Sequence, residues 1–161
     1  WHLAFNGMAL FSLGRVIQAL VSPYLMVLVF LVTVVTGSLA SLYLGPGNPS
    51  VGASGGILGC LGMLLVVTYK FRRALPDFLQ ANLIQSTIVV TVFGILGHQF
   101  IDNAAHAGGL LGGLGLGLIL NRSLELVPKQ STLAMRVLGS ASLLVICAAA
   151  IKVAVELLRL R

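Results

Sequence analysis

Six long apolar runs divide the chain, and short stretches rich in proline, glycine or charge separate them. The runs cover residues 2–20, 24–44, 52–69, 79–97, 103–121 and 133–157. Each is close to the ~20 residues that an α-helix needs to cross the hydrocarbon core of a bilayer. A helix satisfies its own backbone hydrogen bonds in lipid, whereas an open strand does not. The pattern therefore predicts an all-α, polytopic membrane helix bundle with six transmembrane helices.

The composition supports a membrane protein. Of the 161 residues, 58% are hydrophobic and 9% are charged, which is more apolar surface than a soluble domain of this length needs. The net charge of +6 comes from cations at the ends of apolar runs, so it indicates positive-inside topology and not nucleic-acid binding. Cys60 and Cys147 lie inside apolar runs and are expected to be packing residues, without a disulfide or a metal. No cofactor is expected.

Charge also predicts the orientation of the helices. The basic cluster at residues 70–73 follows the third run, whereas the loops at 44–50 and 97–102 carry no Lys or Arg. If the basic cluster is cytoplasmic, the first, third and fifth helices all begin at the outer face. The cations near the end of the chain oppose this orientation, but the larger number of Lys and Arg residues favours it.

A few polar residues lie within or beside the apolar runs. They are His2, Asn6, Ser54, Asp102, Asn103 and His106. Because a charged group near the bilayer centre costs about 2.5–3.5 kcal/mol or more, such residues are expected to face the protein interior. All six lie at the beginning of the first, third or fifth helix, so they are predicted to share one depth in the membrane.

Glycine stripes predict which of these helices touch. His106 lies on the same helical face as Gly109 and Gly113, and the third helix carries a second stripe that includes Gly55 and Gly59. Small residues four apart allow membrane helices to approach closely. Packing one stripe on the other would bring Ser54 near His106.

The chemistry of this pair suits nucleophilic catalysis. A serine hydroxyl needs a neighbouring base to accept its proton, and a histidine with a pKa near neutrality suits that role. The Ser54 backbone N–H, His2 and Asn6 are candidate donors to the resulting oxyanion. Considered alone, Ser54 would more often be a small packing residue than a nucleophile, and His106 fits a helix–helix hydrogen bond, a proton relay or a base.

Three motifs together resemble the rhomboid family of intramembrane serine proteases. They are His2-Leu-Ala-Phe-Asn6, Gly52-Ala-Ser-Gly55, and Asn103-Ala-Ala-His106 followed by a glycine-rich helix. The resemblance implies a Ser54–His106 dyad without an acidic third member, and an oxyanion site formed by His2, Asn6 and Ser54. It assigns supporting roles to Gly52, Gly55 and Asn103, and implies a serine-type endopeptidase that cleaves transmembrane proteins through an acyl-enzyme.

The resemblance extends over nearly the whole chain, so residues 1–161 are predicted to form one rhomboid-like transmembrane protease domain. It begins where the family's second helix would begin, which suggests a fragment without the first transmembrane helix. Leu58 stands where many family members carry an aromatic residue that packs on the catalytic histidine. The expected location is a bacterial cytoplasmic membrane, with the active site toward the outer face and the bilayer and transmembrane substrates as partners.

Two other classes of function fit the sequence less well. A non-catalytic relative that binds membrane proteins would lack the serine or the histidine, and a transporter would show inverted repeats or paired broken helices.

His98 and Asp102 fit solvated loop residues, and Asp102 also fits a cap for the fifth helix. A metal site is not expected, because the sequence has no His-Glu-xxx-His pair and no second carboxylate beside these residues.

Overall fold

The described part of the chain folds into six α-helices. A computed structural model describes residues 2–45, 53–97, 101–120 and 132–159. The helices are α1 (His2–Leu20), α2 (Pro23–Leu44), α3 (Ser54–Lys70), α4 (Asp77–Leu96), α5 (Asn103–Leu120) and α6 (Leu133–Arg159). No strand occurs in these described ranges. The predicted all-α class is confirmed, and the predicted helix bounds agree to within about two residues.

Among the helices in the described ranges, four are long and apolar enough to cross a membrane, namely α2, α4, α5 and α6. Helix α3 is apolar but has 17 residues. Helix α1 has 19 residues, and Asn6, Arg15 and Gln18 reduce its hydropathy. The protein is therefore a helical membrane protein, and the crossing of the bilayer by all six helices stays a prediction.

Helix α3 lies at the centre of the bundle. Residues 55–64 are all buried, and the helix packs on α5, α2, α4 and α1. A helix enclosed on all sides needs no polar face, which explains its continuous apolar sequence. Cys60 is fully buried in this helix, as predicted, whereas Cys147 is exposed on α6. The prediction that Cys147 is a packing residue is therefore wrong.

Glycines bring the backbones of α3 and α5 into direct contact. A Cβ atom added to Gly109 would lie 2.6 Å from the carbonyl carbon of Gly55, and one added to Gly113 would lie 2.5 Å from that of Gly59. Both distances are too short for any side chain. Because the residue numbers of the two pairs rise together, the helices run parallel, and the predicted packing of the two glycine stripes is confirmed.

Helix α2 packs antiparallel on both of these helices. A Cβ atom on Gly37 would lie 2.8 Å from the carbonyl oxygen of Ala105 and 3.5 Å from the Cα of Gly55. One residue earlier in α2, the Thr36 hydroxyl donates to the carbonyl oxygen of Gly108 at 3.0 Å. The three helices α2, α3 and α5 thus form a tightly packed core that fixes their relative heights.

Gly113 and Gly115 offer a matched test of this packing. Adding a methyl group at Gly113 forces it against the α3 backbone, whereas a Cβ atom on Gly115 meets no atom within 4 Å. Because overpacking a tight contact typically costs about 1–3 kcal/mol, Gly113→Ala is expected to lower the thermal midpoint of the protein in detergent. Gly115→Ala is expected to leave it unchanged. Equal midpoints for the two variants would contradict the backbone contact.

Candidate active site

Ser54 is the first residue of α3 and is half-buried. Its neighbour Gly55 lies level with Gly37 of α2. Beyond that level α2 continues through residues 38–44, which at ~1.5 Å per residue is a rise of about 10 Å. The serine therefore lies well below the end of α2, at a depth inside the bundle and not at its surface.

His106 lies in the first turn of α5 and is also half-buried. The carbonyl oxygen of the preceding residue, Ala105, is 3.2 Å from the position of a Cβ atom on Gly55. One turn later, Gly109 touches Gly55 as well. The structure thus brings together the backbone segments next to Ser54 and His106, at the same end of two parallel helices.

Asn103 links α5 to α4. Its side-chain Nδ2 donates to the carbonyl oxygen of Gly94 at 2.8 Å. Gly94 is buried, and a Cβ atom there would lie 3.5 Å from the Asn103 Cγ and 3.9 Å from the His106 Nδ1. Gly94 of α4 therefore lies beside the histidine, and the absence of a side chain at Gly94 leaves room for the Asn103 amide.

Asp102 caps α5, which confirms one of the two predictions made for this residue. Its Oδ1 accepts a hydrogen bond from the Ala105 backbone N–H at 2.8 Å, and its Oδ2 accepts one from the Ser41 hydroxyl of α2. Asp102 is half-buried, so the alternative of a solvated loop residue is wrong. Ser41 was missed, although it lies four residues after Gly37 on the packed face of α2.

The oxyanion candidates on α1 are less closely packed. Asn6 is half-buried one turn into α1, and the side chain of His2 lies outside the described part of the structure. Within residues 4–20 of α1, the buried residues are Gly14, Ile17 and Leu20, which belong to the second half of the helix. The oxyanion role of His2 and Asn6 stays a prediction. Gly52 and His98 lie outside the described residues.

Below the serine the interior is apolar. Leu58, one turn along α3, is 7% exposed and belongs to the hydrophobic core with Leu61 and Leu64. Ser41, Asp102 and Asn103 lie at or above the level of Ser54. Thr33 and Thr68 are buried below that level, where their hydroxyls donate to backbone carbonyls of their own helices. The polar groups of the candidate site thus lie at one end of a largely apolar core.

Comparisons with known proteins place this chain in a family. The family model of the Rhomboid domain matches residues 1–123, and the chain therefore belongs to the rhomboid family. The matched region contains α1 to α5 and every predicted site residue. Together with the four apolar helices, family membership makes this an integral membrane protein. No solved structure matches the chain.

Several curated relatives are named as rhomboid proteases. The chain is 36% identical over 143 residues to Rhomboid protease GluP of Bacillus subtilis (strain 168), covering 89% of this chain and 27% of GluP. It is 36% identical over 94 residues to Rhomboid-like protease 5 of Toxoplasma gondii, covering 56% and 11%. It is 29% identical over 125 residues to Rhomboid-type serine protease 2 of Emericella nidulans, covering 76% and 24%. The chain thus spans less than a third of the length of these relatives.

The bond between Asn103 and Gly94 can be tested by removing the amide. Asn103→Leu keeps a side chain of similar size but cannot donate to the Gly94 carbonyl. Interhelical hydrogen bonds in membrane proteins contribute about 0.6–2 kcal/mol, so the variant is expected to unfold at a lower denaturant concentration in detergent.

Asn82→Leu on the exposed surface of α4 is the control and is expected to unfold like the unmodified protein. Faster hydrogen exchange in the last turns of α4 should accompany Asn103→Leu alone. If both variants are equally stable, the bond does not hold α4 to α5.

Proposed function

We propose that the protein is an intramembrane serine endopeptidase that cleaves peptide bonds in or next to transmembrane helices. The observation that supports this most directly is the contact of Gly55 with Ala105 and Gly109. Through it, the serine at the start of α3 and the histidine at the start of α5 lie at the same end of two tightly packed helices. Membership of a family whose curated relatives are named as proteases supports the same function.

The proposed reaction is an acyl transfer in two steps. The Ser54 Oγ bonds to the carbonyl carbon of the scissile peptide while His106 accepts the hydroxyl proton. His106 then gives that proton to the leaving nitrogen, the C–N bond breaks, and an ester on Ser54 remains. Water attacks the ester with His106 again as base, which releases the acid and restores the serine.

The start of α3 suits the oxyanion of this reaction. The first backbone N–H groups of a helix have no intrahelical partner, and the first hydrogen bond into α3 runs from the Ile57 N–H to the carbonyl oxygen of Ala53. The N–H of Ser54 is therefore free of the helix ladder, and the helix dipole favours negative charge there. Asn6 and His2 are the proposed side-chain donors.

The depth of the site matches a substrate in the bilayer. Ser54 lies about 10 Å below the end of α2 by the register of the helices, which suits a bond near the membrane end of a substrate helix. Water must enter from the side of the polar residues, because the opposite side is the apolar core. In the proposed topology that entrance faces outward from a bacterial cytoplasmic membrane.

The test is cleavage of a model transmembrane substrate by the full-length protein in liposomes, together with labelling by a serine-reactive fluorophosphonate. Ser54→Ala is expected to abolish both, because no nucleophile remains. His106→Ala is expected to reduce both by a factor of about 100 or more, since general-base catalysis contributes about 10²–10⁴-fold.

Ser38→Ala is the matched control, because Ser38 is an exposed serine on α2. It is expected to cleave and to be labelled like the unmodified protein. Labelling that survives Ser54→Ala, or a folded protein that cleaves none of several transmembrane substrates, would overturn the proposed function.

A further inference from the structure

The carboxylate of Asp102 connects α2 to the first turn of α5. The Ser41 hydroxyl of α2 donates to its Oδ2, and the Ala105 N–H donates to its Oδ1 at 2.8 Å. The carbonyl oxygen of the same residue accepts the His106 N–H at 3.1 Å. Asp102 thus bonds to α2, to the first turn of α5 and to the backbone N–H of His106.

The same turn of α5 is held from other directions. Asn103 bonds to Gly94 of α4 at 2.8 Å, and Ala105 packs against Gly37 of α2. A rotation of α5 about its axis would change the direction in which the His106 side chain points. The bonds of Asp102 to α2 and of Asn103 to α4 both oppose that rotation.

We propose that Ser41 and Asp102 are positioning residues that hold His106 at the height and angle needed to accept a proton from Ser54. This inference rests on the proposed function. The two residues act through the backbone of α5, because the Asp102 carboxylate bonds to Ser41 and to the Ala105 N–H at the start of the helix. His106 belongs to the turn of α5 that Ser41 and Asp102 hold in place.

A positioning role predicts a specific kinetic effect. A displacement of a reacting group by about 1 Å can cost a factor of 100 in rate, whereas substrate binding away from the reacting atoms is expected not to depend on the angle of His106. Ser41→Ala is therefore expected to lower kcat by roughly 10- to 100-fold and to leave KM within about twofold. Ser41→Thr keeps a hydroxyl and is expected to retain most of the activity.

Ser38→Ala is the control, since it removes an exposed hydroxyl from the same helix. It should leave kcat and KM unchanged. An unchanged kcat in Ser41→Ala, or a rise in KM at constant kcat, would overturn the proposal, because the first denies the effect and the second indicates substrate contact. A Ser41→Thr variant no more active than Ser41→Ala would also count against it.

A double-mutant cycle tests whether the two residues act together. If they act through their mutual bond, adding Ser41→Ala to Asp102→Ala should change kcat by no more than about twofold beyond Asp102→Ala alone. If the double variant loses kcat by the product of the two separate factors, the residues act independently, and the proposal that they act as a pair is overturned.

A spectroscopic measurement keeps the pair separable from the proposed function. In protein labelled with ¹⁵N-histidine, the His106 signals are identified by their loss in His106→Gln. Ser41→Ala and Asp102→Ala are expected to shift or broaden these signals, and Ser38→Ala is not. Absent cleavage with shifted signals would remove the protease function but keep the positioning of His106, whereas unshifted signals would overturn the pair itself.

Discussion

Direct contact between the backbones of α3 and α5 is the constraint on which the rest of the structure depends. In a membrane the lipid is as apolar as the side chains, so helices gain little by hiding leucine and gain more from close van der Waals contact. Glycine permits that contact, and the pairs Gly55–Gly109 and Gly59–Gly113 leave no space for a side chain. The register of these pairs sets the height of Ser54 relative to His106.

The distribution of residue sizes follows from the same constraint. Small residues occupy the closest contacts between α3 and α5, whereas many large apolar side chains face outward, such as Leu118 at 65% and Leu144 at 71% exposed. Such outward leucines would be a liability in water, but in a bilayer they meet an apolar solvent. Family membership and the outward-facing apolar side chains both indicate that the bundle lies in a lipid bilayer.

Hydrogen bonds from polar side chains also connect the packed helices. Thr36 and Ser41 of α2 each donate to a group on α5 or at its start, and Asn103 donates to α4. Each bond joins two different helices, or a helix and the start of another, at a defined angle, which glycine contacts alone do not fix. The helices that carry the proposed nucleophile and base therefore form the rigid part of the bundle, while the first half of α1 is loosely packed. A catalytic pair needs such a rigid support.

The sequence by itself determined the six helices, because span length and the cost of polar groups in lipid restrict where a helix can begin and end. It also predicted the contact of α3 with α5, since the stripes through Gly55 and Gly109 follow helical periodicity. Tertiary structure decided the partner of Asp102, because Ser41 lies 61 residues away and only the register of α2 against α5 brings the two together. It likewise decided that Cys147 faces outward, since periodicity does not tell which side of an apolar helix meets lipid.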